Sequence, residues 1–149
     1  MLVYYFGSKD ELVAAIAAQA ADALGDALPT VDPDHPPASA AAWLDAAWSL
    51  LADPVVRPAF ALLFELDAMG VRAPGPARSA SRLVTEHALE GVDEALAALG
   101  VPAARREAGF SALVSGAVVG IVLDQLVSGA ERSRAAIEEL ARLIDDARA

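Results

Sequence analysis

Between Phe110 and Val127 the chain is apolar nearly all the way round, interrupted in charge only by Asp124. Wound as a helix, such a segment has no obvious wet face, and a helix hydrophobic on every side is expected to be buried on every side. That expectation makes it the central helix of a bundle. Gly109, Gly116 and Gly120 fall on one narrow stripe at about 100° per residue. Each glycine costs a helix roughly 1 kcal/mol against alanine, so three on one stripe point to close approach of another helix. Ser111, Ser115 and Gln125 lie on the other side, where they are placed to meet a ligand. Asp124 requires a partner or water.

The remaining chain reads as helices separated by proline and glycine. The first runs from Ser8 to about Leu28, with Leu12, Val13, Ile16, Ala20 and Leu24 on one face, and Pro29 stops it. Pro33, Pro36 and Pro37 mark a loop that also holds His35. A second helix spans Ser39 to about Ala52 and carries both tryptophans, Trp43 and Trp48. Asp53-Pro54 is an N-cap acid followed by proline, the signature of a helix start; that helix continues past Pro58 to about Met69. After the Gly70–Pro76 loop, a long helix covers about Ala77 to Leu99. Its apolar stripe is Leu83, Val84, Ala88, Val92, Ala95, Leu96 and Leu99, and its wet side is Glu86, Glu90 and Asp93. Gly100 ends it, and Pro102 opens the apolar helix, which is expected to run unbroken to about Val127. Ser128-Gly129-Ala130 is a break, and Glu131 to Ala147 forms a final amphipathic helix. Strand signals are almost absent, so the fold class is all-α.

Length and charge bound the rest. At 149 residues the chain is long enough for a real core. No cysteine is present, so disulfides and thiolate metal sites are excluded. Eleven basic against twenty-one acidic residues give a formal net charge of -10. An acidic surface repels phosphates and argues against nucleic-acid binding by this chain alone. The strongest apolar run, Ala117 to Leu123, is too short to cross a bilayer, and no signal peptide is evident. The expectation is a soluble cytoplasmic protein without a membrane partner.

The N-terminal stretch carries the most specific pattern. Leu2, Val3, Tyr4, Tyr5 and Phe6 read as the last turn of a helix, which Gly7 ends. Ser8-Lys9-Asp10-Glu11 is a capping box that opens the next helix, with Asp10 and Glu11 at its positive end. This order of residues, through Leu12, resembles the signature of the TetR family of transcriptional regulators: an aromatic-rich end of the recognition helix, Gly-Ser-Lys, an acidic pair and leucine. The run Arg57 to Leu66 resembles a helix of actinobacterial members. The passage Gly120 to Arg134 resembles, more weakly, the final helix pair through which members dimerise.

The resemblance implies an all-α TetR-like ligand-binding and dimerisation bundle over residues 8–149, preceded in residues 1–7 by the remnant of a helix-turn-helix whose larger part lies upstream of Met1. It places Tyr4, Tyr5 and Lys9 at DNA-contacting positions; such phosphate contacts position a protein without reading sequence. It implies a homodimer, operator DNA as partner of a full-length form, and a small hydrophobic or aromatic ligand. Candidate pocket residues are Trp48, Phe60, Phe64, His87, Phe110 and Ser115, although aromatic residues at apolar helix positions equally well fill core. Candidate interface residues are Gly116, Gly120, Leu123, Ile137, Leu140 and Ile144. The function expected is a ligand-responsive regulator of the repressor type, with a headless helical dimerisation or small-molecule-binding module as the alternative. No phosphate loop, nucleophile elbow or metal-ligand spacing occurs, so neither an enzyme nor a cofactor or metal is expected.

Overall fold

The computed structural model describes residues 8, 11–16, 18–19, 31–32, 34–50, 53–54, 56–72 and 75–148. Among them every regular element is helical: a small all-α bundle with no strand. Residues 11–16 and 18–19 are helical. The elements that follow are α1 (Ala40–Ser49), α2 (Val56–Arg72), α3 (Pro76–Ala98), α4 (Ala103–Arg105), a π turn (Arg106–Phe110), α5 (Ser111–Ser128) and α6 (Ala130–Asp146). The chain divides into two compact units, Met1–Leu28 with Ala52–Glu86, and Pro29–Leu51 with His87–Ala149.

Local chemistry sets the helix starts. Ser8 Oγ accepts the Glu11 N–H at 3.1 Å, closing the serine half of the expected capping box. Ser39 does the same for Ala42 at 3.1 Å and opens α1. Asp53 Oδ1 accepts from the Val56 N–H at 3.3 Å at the start of α2. Each satisfies an amide that the first turn leaves without an intrahelical partner.

In the first unit Leu66 and Ala77 are buried, with Val13, Leu62 and Ala80 packed against them. The return from α2 to α3 is tight. A Cβ on Gly70 would stand 2.9 Å from the Arg78 Cα, so glycine is required there by the approach of the two backbones. Arg78 Nε donates to the Gly70 carbonyl at 2.8 Å, and the Ser81 hydroxyl bonds to Asp67.

The second unit holds the main core. Ala40 and Leu44 of α1, Val92 and Leu96 of α3, Val114 of α5, and Ile137, Leu140, Ala141 and Ile144 of α6 form one buried cluster. Leu99, Val101 and Phe110 close it between helices. Both α1 and α5 pack on α6.

Two features depart from the sequence reading. The helix expected to run unbroken from Pro102 is interrupted by the π turn, where Gly109 takes φ 103° and ψ 4°. Glycine reaches that region without a Cβ clash. Leu83, expected on the inward stripe of α3, is 64% exposed, whereas Val92, Ala95, Leu96 and Leu99 of the same stripe are buried.

Candidate functional site

The apolar helix is where the molecule differs most from a finished globular surface. Ser111, Val114, Ser115 and Val122 of α5 are buried. Leu113, Val119, Leu123 and Val127 are 57%, 45%, 44% and 78% exposed. The expectation of burial on every side is therefore corrected: among the described residues one side of α5 is buried and the other is open. Four of the nine large hydrophobic side chains exposed among the described residues lie on this helix. Its most apolar stretch is only 22% buried.

The open side has an order of its own. Leu113, Gly116, Gly120, Leu123 and Val127 follow one another at spacings of 3, 4, 3 and 4 residues. That is the spacing of the inner positions of a coiled-coil heptad. At 3.6 residues per turn these five and Val119 fall within an arc of about 120°. Gly116 and Gly120 are exposed, and a Cβ built at either meets nothing within 4 Å. Among the described residues, none supplies the close helix partner expected at the glycine stripe. Gly109 is equally open, but its glycine is explained by its backbone angle.

The other proposed interface residues are placed differently. Ile137, Leu140 and Ile144 are 6%, 7% and 0% exposed, in the core beneath α1 and α5. They are occupied inside the chain. Of the six proposed interface residues, only Gly116, Gly120 and Leu123 share the open face.

The proposed pocket residues fall in both units. Phe60 and Phe64 are half-buried on α2 of the first unit. In the second unit Trp48 is half-buried against the core, Phe110 and Ser115 are buried, and His87 is exposed. Phe110 belongs to the packed core, and the Arg105 guanidinium lies 5.2 Å from its ring centre. Tyr4, Tyr5 and Lys9 lie outside the described residues. His35 is exposed and bonds through Nδ1 to Asp32 Oδ2 at 2.8 Å. Among the described residues no cluster of three metal-ligating side chains occurs.

The polar groups of α5 find partners that sequence reasoning did not assign. Asp124 takes both Nε (3.0 Å) and Nη2 of Arg132, across the turn to α6, and Arg132 also reaches Ser128 Oγ at 3.3 Å. The hydrogen bond from Arg132 holds the Asp124 carboxyl below its ordinary range, against a smaller opposing effect of desolvation. Ser111 Oγ donates to Asp93 Oδ1 at 2.6 Å, and Arg106 pairs with the other oxygen of the same carboxylate. Asp93 is held low, first by Ser111 and further by Arg106, against partial desolvation. The Oε1 of Gln125 is buried with no hydrogen-bond partner among the described residues. The open-face spacing was present in the sequence as a 3-4 repeat, but an all-apolar helix gives no sign of which side the core will take.

By length and composition alone, the helical stretch Ala103–Ser128 is also apolar enough to cross a bilayer. This is longer than the apolar run considered in the sequence, because α4, the π turn and α5 join end to end. No family model matches the chain, and neither does any curated protein or solved structure.

Proposed function

We propose that this chain is a helical dimerisation module, and that a second copy covers the open face of α5. The observation that carries this reading is the 3-4-3-4 run of Leu113, Gly116, Gly120, Leu123 and Val127 on a helix whose opposite side is already committed to the core. The residues of the face itself are uncharged, and Asp124 at its edge is paired with Arg132. It also carries both large and small groups, so two copies can fit one another. In an antiparallel two-fold pairing, Leu123 of each copy stands opposite Gly116 of the other. A leucine over a glycine fills the notch the missing side chain leaves, and a two-fold contact repeats each such pair.

The test is the mass in solution by analytical ultracentrifugation. The module should sediment at twice the 15.3 kDa of one chain, and Leu123→Glu should sediment as a folded monomer. A wild-type monomer at micromolar concentration overturns the reading. Flotation of the wild-type chain with phosphatidylcholine vesicles would instead assign the face to lipid.

A second reading is the ligand-responsive, TetR-type regulator, of which such a module would be the C-terminal part. The closed Ser8–Glu11 cap at the Gly-Ser-Lys junction supports it. It requires that a form extended upstream through a helix-turn-helix bind operator DNA as a dimer. It also requires that a hydrophobic aromatic probe, 1-anilinonaphthalene-8-sulfonate, change the emission of Trp43 and Trp48 in this chain at saturable stoichiometry. Unchanged emission removes the ligand part of this reading.

A further inference from the structure

In a continuous α-helix Arg106 and Ser111, five residues apart, would project about 140° from each other. One carboxylate beside such a helix cannot take both. Here both bond to Asp93 of α3: Ser111 Oγ at 2.6 Å to Oδ1, and the Arg106 guanidinium to Oδ2. What brings them to one side is the kink at Gly109, whose non-helical backbone joins the segment of Arg106 to the helix of Ser111. A second pair of the same spacing, Arg105 over the Phe110 ring, is brought together in the same way. Arg106 Nε also donates to the Val101 carbonyl at 3.2 Å, which ties the segment before the turn to the loop after α3.

We propose that Asp93 is the latch of a kink in the helical stretch from Ala103 to Ser128, which opens and closes at Gly109. With both bonds made, the stretch holds its kink at Gly109. With them broken, Gly109 takes helical angles and the stretch closes into continuous α-helix. Asp93 favours the interrupted form because only that form offers it both donors, and a contact shifts an equilibrium only by what it gives one state over the other. Glycine at 109 keeps the interrupted form accessible, since its φ of 103° is one that other residues rarely adopt. Val114 and Val122 anchor α5 in the core, so the moving part is the segment ahead of the turn. This inference is independent of what covers the open face.

The experiment is NMR of the intact, isotope-labelled chain, reading Cα shifts and amide exchange over residues 105–113. Ser111→Ala keeps the Arg106 pair and removes one bond of the latch. It should move the Gly109 and Phe110 Cα shifts toward helical values and change amide exchange in this segment about tenfold, the worth of a hydrogen bond to a charged group. Asp93→Ala should complete the shift. Deleting Gly109 sets Arg106 and Ser111 four residues apart, on one side of a regular helix. That chain should be continuously helical through the segment, and adding Asp93→Ala to it should leave the local Cα shifts unchanged. The proposal is overturned if Gly109 keeps its non-helical shift in both Ser111→Ala and Asp93→Ala. It is overturned equally if the deletion chain still shows an interruption there. If Asp93→Ala does not fold, Ser111→Ala and the deletion decide.

Discussion

Helices α5 and α6 lie against each other and meet the same core, yet they finish their outer sides in opposite ways. On α6 the inward residues Ser133, Ile137, Leu140, Ala141 and Ile144 are buried, and the outward side is Glu131, Arg132, Arg134, Glu138, Glu139, Arg142, Asp145 and Asp146. Water completes that surface, with only Leu143 among its large apolar groups left exposed. On α5 the outward side is Leu113, Gly116, Val119, Gly120, Leu123 and Val127. Among the described residues nothing completes it. An amphipathic helix carries its own boundary between core and solvent. An all-apolar helix borrows that boundary from whatever packs on it, and here the described residues supply only half.

The contrast can be broken at its strongest point first. Ile144→Ala empties a fully buried position on α6 and should cost about 2–5 kcal/mol of unfolding free energy. Leu123→Ala removes a side chain of similar size from the open side of α5. In the monomer it should cost much less, and urea unfolding at concentrations where only monomer is present compares the two. Equal losses would mean that α5 is as enclosed as α6. In the proposed dimer, Leu123→Glu should weaken association at least tenfold, as removal of a central interface anchor does. Dilution in the ultracentrifuge reads that loss.

Smaller effects sharpen the same comparison. Gln125→Leu replaces a buried acceptor that has no partner among the described residues, and relieving that desolvation should raise stability by about 1 kcal/mol. A loss of stability would show that the amide is engaged. The Asp93 carboxyl is depressed, so its contribution to stability is complete above the ordinary carboxylate value and disappears as pH falls through its lower folded value. A carboxyl 13C titration should find that low midpoint, and Ser111→Ala should move it upward. Smallest of all, Arg142→Ala breaks an exposed pair with Glu139 on the wet side of α6 and should change stability by less than about 0.5 kcal/mol.

Much of the fold was legible in the chain. Ser39, Asp53 and Gly129 mark helix boundaries to within a few residues, because capping depends on atoms only a few positions apart. The charged and apolar sides of α6 were legible for the same reason, since the 3.6-residue repeat separates them along one segment. The inward part of α3 was legible where the repeat continues into Val92, Leu96 and Leu99. It was misread at Leu83, where periodicity marks an apolar stripe without saying how far along the helix the core extends. Of the six residues expected at an interface, Gly116, Gly120 and Leu123 lie on the open side of α5, while Ile137, Leu140 and Ile144 are buried in the core.

That the protein is helical, where most of its helices begin, and that one of them has no polar side can all be read from the residues in order. Packing alone decided which side of that helix faces the core. It also decided that Asp124 is met by Arg132 across a turn, and that Asp93, read as a wet-side residue, takes both Arg106 and Ser111. The interruption at Gly109 belongs with these. The reason is common to all four. Capping and periodicity act over one or two helical turns and are written in neighbouring residues. Burial, charge pairing and helix register are settled by groups that only packing brings together.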